Sequence, residues 1–145
     1  MHPSKKTLHG VWAAALVCAL AGVPAEAAAT EPAKLSIELN KLEPQDKSCR
    51  AFFVVNNESP ADYESLRLDV VIFQPDGVIG RRLAVNLAPL KPNKKIVKQF
   101  DLEGLACDQI GSLLINDVLE CKVTPASDCL AGLSVSSLTK VQLSK

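Results

Sequence analysis

Cysteine, histidine, paired carboxylates and a serine with a nearby lysine are the groups through which a chain of this composition could do covalent or metal chemistry. It carries cysteines at positions 18, 49, 107, 121 and 129, and histidines at positions 2 and 9. Zinc would need four clustered N or S ligands, usually brought in as closely spaced pairs, yet no Cys-x-x-Cys occurs. Ser137-Leu138-Thr139-Lys140 spells S-x-x-K, the pattern of a serine nucleophile with a lysine base. That spacing works where a helix puts both side chains on one face. In a strand Ser137 and Lys140 point to opposite faces, and the companion S-D-N, K-T-G and G-x-S-x-G motifs are missing. Asp69 and Asp117 could form an acid/base pair only if the fold joined them; as strand residues facing solvent they would simply be hydrated.

The N-terminus decides how many of these groups the working protein keeps. Lys5 and Lys6, with no acid nearby, precede an uncharged apolar run from Gly10 to Val23. Pro24 interrupts that run, and Ala25-Glu26-Ala27 and Ala27-Ala28-Ala29 place small residues three and one positions before a cut. This is the pattern of a secretory signal peptide, a signal helix over residues 1–27 cleaved after Ala27 or Ala29, followed by a polar leader over 28–34. The apolar run is shorter than the roughly 20 residues that cross a bilayer as a helix, so no stable membrane anchor is expected after cleavage. Cys18 lacks the small preceding residue that lipidation requires, and Lys5-Lys6 is not a twin arginine. The general secretion route, to the periplasm or the exterior, follows.

Cleavage removes His2, His9, Cys18 and the only tryptophan, Trp12. Triads that use histidine as base leave with them, as do histidine metal sites, and neither a metal nor a cofactor is expected. The remaining Cys49, Cys107, Cys121 and Cys129 read as disulfides in an exported chain. Cys107 and Cys121 bracket what looks like one regular element, whose ends stand too far apart to bridge. The turn-rich stretch between Cys121 and Cys129 folds back readily. The preferred pairing is Cys121 with Cys129 and Cys49 with Cys107.

The elements that must position these groups are strands. Leu35, Ile37 and Leu39 alternate with polar residues, and Cys49 to Val55 is rich in β-formers. Leu66, Leu68, Val70 and Ile72 line one face of a third strand, with Arg67 and Asp69 opposite. Gln74-Pro75-Asp76-Gly77 is a turn, because proline presets φ and glycine accepts a positive one. Its hairpin partner runs from Val78 to Leu87, and Lys95 to Leu102 is a further strand closed by Glu103-Gly104. Ile110 to Glu120 fits a helical face and a strand almost equally; Gly111 and Asn116-Asp117 tip it to strand. Ser134 to Leu143 reads as a last strand with Val135, Val141 and Leu143 inward. About seven strands, with turns at regular spacing and no alternating helices, give an all-β domain over 35–145: an antiparallel sandwich of immunoglobulin-like or fibronectin type III-like form.

From about Asn56 to Phe100 the chain resembles the small exported β-sandwich domains of the FxLYD type. The resemblance is carried by Asn56-Asn57, the strand Leu66 to Phe73 ending in an aromatic, the Asp76-Gly77 turn, and a polar segment with Pro92 and lysines before the next strand. More broadly the chain resembles proteobacterial periplasmic proteins with an Ala-rich signal. That resemblance implies a fold and an address rather than a reaction.

The mature chain has one more acid than base, so no basic field argues for nucleic acid. Lys91, Lys94, Lys95 and Lys98 form a local run that either touches an anionic surface or guards a sheet edge against pairing. Phe73, Arg81 and Arg82, beside the hairpin turn and with Val71 exposed across it, form the candidate binding patch. The expected function is an exported, non-catalytic binding or structural module of the bacterial envelope acting on another envelope protein. The alternative is a small secreted hydrolase or an enzyme inhibitor using carboxylates or the Ser137 and Lys140 pair.

Overall fold

A computed structural model describes residue 3 and residues 34–145 of the chain; the expected signal peptide, residue 3 apart, and the expected polar leader, Lys34 apart, lie outside the described residues. Alternation of apolar and polar residues produces eight strands: β1 (Leu35–Pro44), β2 (Ser48–Asn57), β3 (Asp62–Phe73), β4 (Ile79–Asn86), β5 (Lys94–Glu103), β6 (Ser112–Thr124), β7 (Leu133–Ser137) and β8 (Gln142–Ser144). A single 3-10 turn, Cys107–Gln109, lies between β5 and β6. The strands form two four-stranded sheets, one ordered β5-β2-β1-β7 and the other β4-β3-β6-β8. All-β sandwich architecture is therefore the fold, with two refinements.

The first concerns the chain's end, where the expected single strand is two. Ser137 ends β7 and its Oγ donates to Val141 O across the bend, at 2.6 Å. The chain then passes into the other sheet as β8. The second follows from that passage: β7 joins β1 in parallel and β8 joins β6 in parallel, so each sheet is mixed rather than wholly antiparallel.

The interior lies between the sheets. Ile37 of β1 and Phe53 of β2 face Leu68 and Val70 of β3 and Ile115 of β6, around a void of about 10 Å³. A void that small with apolar walls stays dry. Phe53 also meets Phe100 of β5 edge to face, with ring centroids 5.9 Å apart. Burying a side chain of this size contributes about 1.5–3 kcal/mol relative to exposure, and the inward stripe of every long strand adds to it.

Polar and covalent devices hold the segments that pass between sheets. Cys49 in β2 is bonded to Cys107 in the 3-10 turn, and Cys121 in β6 to Cys129 before β7, the pairing expected from the spacing. Asn57, at the inward end of β2, is fully buried. Its Nδ2 donates to Ala61 O at 2.7 Å and to Lys91 O at 3.0 Å. Its Oδ1 accepts from Ser59 N at 3.2 Å and Ser59 Oγ at 2.7 Å. One amide thus uses its full donor and acceptor capacity to join two crossing segments. The β3–β4 turn takes the form its residues dictate: Gly77 has φ +83° and donates to Gln74 O at 2.9 Å. Gly111 lies against that turn so closely that a Cβ there would stand 2.5 Å from Gln74 O.

Non-reducing peptide mapping should recover Cys49 with Cys107 and Cys121 with Cys129. Replacing the first pair by alanine should lower the unfolding free energy in denaturant titration by about 4 kcal/mol, against about 2.5 for the second, because the first closes the longer loop. Asn57→Ala should lower it by about 2–3 kcal/mol, since the carbonyls it satisfied stay buried.

Candidate functional site

β3 lies between β4 and β6, so even its outward side chains are flanked on both sides. Asp69, expected at a solvent-facing position, is only 3% exposed, and Val71, expected to be exposed, is also buried. Across the ladder Val71 stands opposite Arg82 on β4 and Leu114 on β6. A central strand is covered laterally by its neighbours' long side chains, which a one-strand pattern does not reveal.

The buried carboxylate is fully engaged. Arg82 Nε donates to Asp69 Oδ1 at 2.7 Å and its Nη2 to Oδ2 at 2.6 Å, a bidentate pair. Asn116 Nδ2 donates to Oδ2 at 2.7 Å. Asn116 reaches it because β6 bulges there: Val70 is opposite Ile115 and Asp69 opposite Asp117, leaving Asn116 as the extra residue. The Arg82 hydrogen bonds hold the Asp69 carboxyl below the usual aspartate range; burial opposes this, and Asn116 adds to the lowering. The structure does bring Asp69 and Asp117 into register, but one carboxylate is neutralised by a guanidinium. Asp69 is thereby committed to Arg82 and Asn116 rather than to its neighbour.

Phe73, Arg81 and Arg82 separate on inspection. Arg81 and Arg82 leave β4 on opposite faces. Arg81 Nη1 donates to Glu103 O, tying β4 of one sheet to the end of β5 of the other across the sandwich's open side. Lys98 Nζ of β5 donates to Ala88 O, in the connection that follows β4, at 3.2 Å. Arg82 lies over the outer face with 63% of its side chain exposed. Phe73 is half-buried on that face and stands opposite Ile79. The register slips between Ile72 and Phe73, and Ile79 is left 62% exposed with Val78 beside it at 58%. The patch the fold assembles is therefore Phe73, Ile79, Arg82 and the half-buried Leu114, an apolar strip beside a guanidinium. Val78 and Ile79 were legible only as the start of a hairpin strand; the slip that exposes them is a property of the paired turn.

Ser137 lies in an open groove of about 440 Å³ with Thr139, Lys140 and Gln142. Its hydroxyl donates to Val141 O and accepts from Thr139 N at 3.1 Å, so the oxygen that would be the nucleophile is the pin of the β7–β8 bend. The cysteines are bonded pairwise, and among the described residues no group of three or more histidine, cysteine, aspartate or glutamate side chains is gathered in a way that could hold a metal ion. The disulfides fit an oxidising compartment; among the described residues no helix is long and apolar enough to cross a membrane.

No family model matches the chain, and neither a curated protein nor a solved structure does.

The lowered Asp69 pKa has a definite consequence for stability. A carboxyl whose folded value lies below its unfolded one stabilises the fold above about pH 4, the unfolded aspartate value, and that contribution is lost as pH falls through the folded value. The thermal midpoint of the wild type should thus drop between about pH 5 and about pH 3. The Asp69→Asn chain should start lower at neutral pH and drop less over the same interval. Parallel curves for the two chains would show that the Arg82 pair adds nothing.

Proposed function

We propose that this chain is an exported, non-catalytic binding module of the bacterial envelope, periplasmic or secreted, delivered by the general secretion route. The observation that carries the reading is the exposed apolar strip at the β3–β4 hairpin, Ile79 with Val78 and Phe73, set beside Arg82. Apolar side chains on a rigid two-stranded tip, with a charge fixed at the rim by a buried aspartate, make a preorganised contact for another protein. The side chains that could have done chemistry are committed elsewhere: Asp69 to Arg82, Ser137 to Val141 O, the cysteines to each other. The address is supported by Lys5-Lys6, the apolar run from Gly10 to Val23 and the alanines around residue 27, together with disulfides that persist outside reducing compartments. Kinship with FxLYD-type sandwich domains is part of the same proposal; Asn57 and the Asp76-Gly77 turn, two features behind it, sit at the end of β2 and the tip of the β3–β4 hairpin.

Fractionation of bacteria expressing the full precursor should place the processed chain outside the cytoplasm, with Ala28 or Thr30 as its new first residue. Used as bait in an envelope extract, that chain should capture a partner saturably, and Ile79→Asp with Val78→Asp should abolish capture while leaving the circular dichroism unchanged. Equal capture by the wild type and the double variant would move the binding face elsewhere; no saturable capture would remove the reading.

A further inference from the structure

We propose that two copies of this chain pair edge to edge through β5, antiparallel, about a twofold axis at Gln99. β5 is an outer strand of its sheet, bonded only to β2. Gly104 N donates to Lys47 O at 2.9 Å, continuing the ladder that sets Ser48 opposite Glu103. Even-numbered residues of β5 therefore turn their backbone groups toward β2. Residues 95, 97, 99, 101 and 103 turn theirs to the free edge, where Arg81 takes Glu103 O. The side chains of these five residues are exposed, Val97 at 64%. Apart from Glu103 O, this row of outward backbone N–H and C=O groups has no partner among the described residues and is a template for another strand.

The charge order along β5 selects which strand. Lys94, Lys95 and Lys98 occupy its first half, Asp101 and Glu103 its second. A neutral strand gains nothing from this order and a basic one is repelled, whereas the same strand run in reverse sets the basic half against the acidic half. With the axis at Gln99, Gln99 exchanges both backbone bonds with its own copy, Val97 pairs with Asp101, and Lys95 stands directly opposite Glu103. Directly opposed unlike charges stabilise a strand pair. An axis at Val97 would crowd the lysines of both copies together, and one at Asp101 would set aspartate against aspartate. Asp101 is already held by Arg50, at 2.6 and 2.9 Å; among the described residues Lys95 and Glu103 are in no such pair. A second copy of β5, run in reverse, thus meets both halves of the strand with the opposite charge. The surface is separate from the Ile79 strip, and the inference does not depend on it.

The experiment uses the protein purified from cells expressing the full chain. Sedimentation from about 1 to about 200 μM should show a concentration-dependent dimer. Lys95→Glu and Glu103→Lys should each weaken it about tenfold, through two symmetry-related contacts, and the double exchange should restore it. Under mild oxidation Gln99→Cys should crosslink to its own copy, because hydrogen-bonded partners have Cα atoms about 5.5 Å apart, within disulfide reach. Val97→Cys should not, since its copy lies about 13 Å away along the strand. A monomer at every concentration overturns the proposal. So does a dimer indifferent to both charge reversals, or one that Val97→Cys crosslinks and Gln99→Cys does not.

Discussion

The chain changes sheet at every connection except the β1–β2 and β3–β4 hairpins, and each change takes backbone groups out of one ladder before they enter another. Buried N–H and C=O groups must be satisfied on the way, and the rest of the structure is arranged around that requirement. The crossing from β2 to β3 and the one from β4 to β5 share Asn57, whose amide bonds Ala61 O and Lys91 O. The crossing from β5 to β6 is held to β2 by Cys49–Cys107, and that from β6 to β7 is held to β6 by Cys121–Cys129. The last, from β7 to β8, is pinned by Ser137. Each device is short-range and specific, and together they let two small sheets keep a dry seam.

The same economy commits Asp69, Ser137 and the four described cysteines to structural bonds. Among the described residues Asp69 is the one buried carboxylate, and its environment is built to keep it ionised and paired with Arg82. A charge fixed in this way anchors a guanidinium beside Ile79 and Phe73. On the neighbouring edge, in the other sheet, β5 keeps its lysines and acids unmixed along the strand. One feature favours an apolar partner at a hairpin tip and the other a self-complementary strand, and the sandwich separates them onto different strands.

Stretches with a regular period of two were legible directly: the first half of β1, β2 and the middle of β3 place Leu35, Ile37, Val55, Leu66 and Leu68 inward as the alternation requires. The stretch from Ile110 to Glu120 was ambiguous for a physical reason. In β6 the residues opposite Ile72, Val70, Leu68 and Leu66 are Leu113, Ile115, Val118 and Cys121. Two bulges stretch the inward spacing from two residues to three, which mimics a helical face. Bulges are made by pairing with β3, so no reading of β6 alone could separate the two. The last strand failed for a related reason, because Val135 of β7, Val141 of the bend and Leu143 of β8 are all core-facing although β7 and β8 belong to different sheets.

Composition and local pattern by themselves pointed to a β protein and to a turn at Gln74 to Gly77, and they ranked Cys49–Cys107 with Cys121–Cys129 first among three pairings, the one the structure has. Those features depend on residues near one another in sequence, or on covalent reach. Tertiary structure alone decided that Asp69 is buried rather than hydrated, that Arg81 and Arg82 serve different faces, and that β5 keeps a free edge. Burial, face and edge are set by which strand lies alongside, and that neighbour is usually far away in the chain.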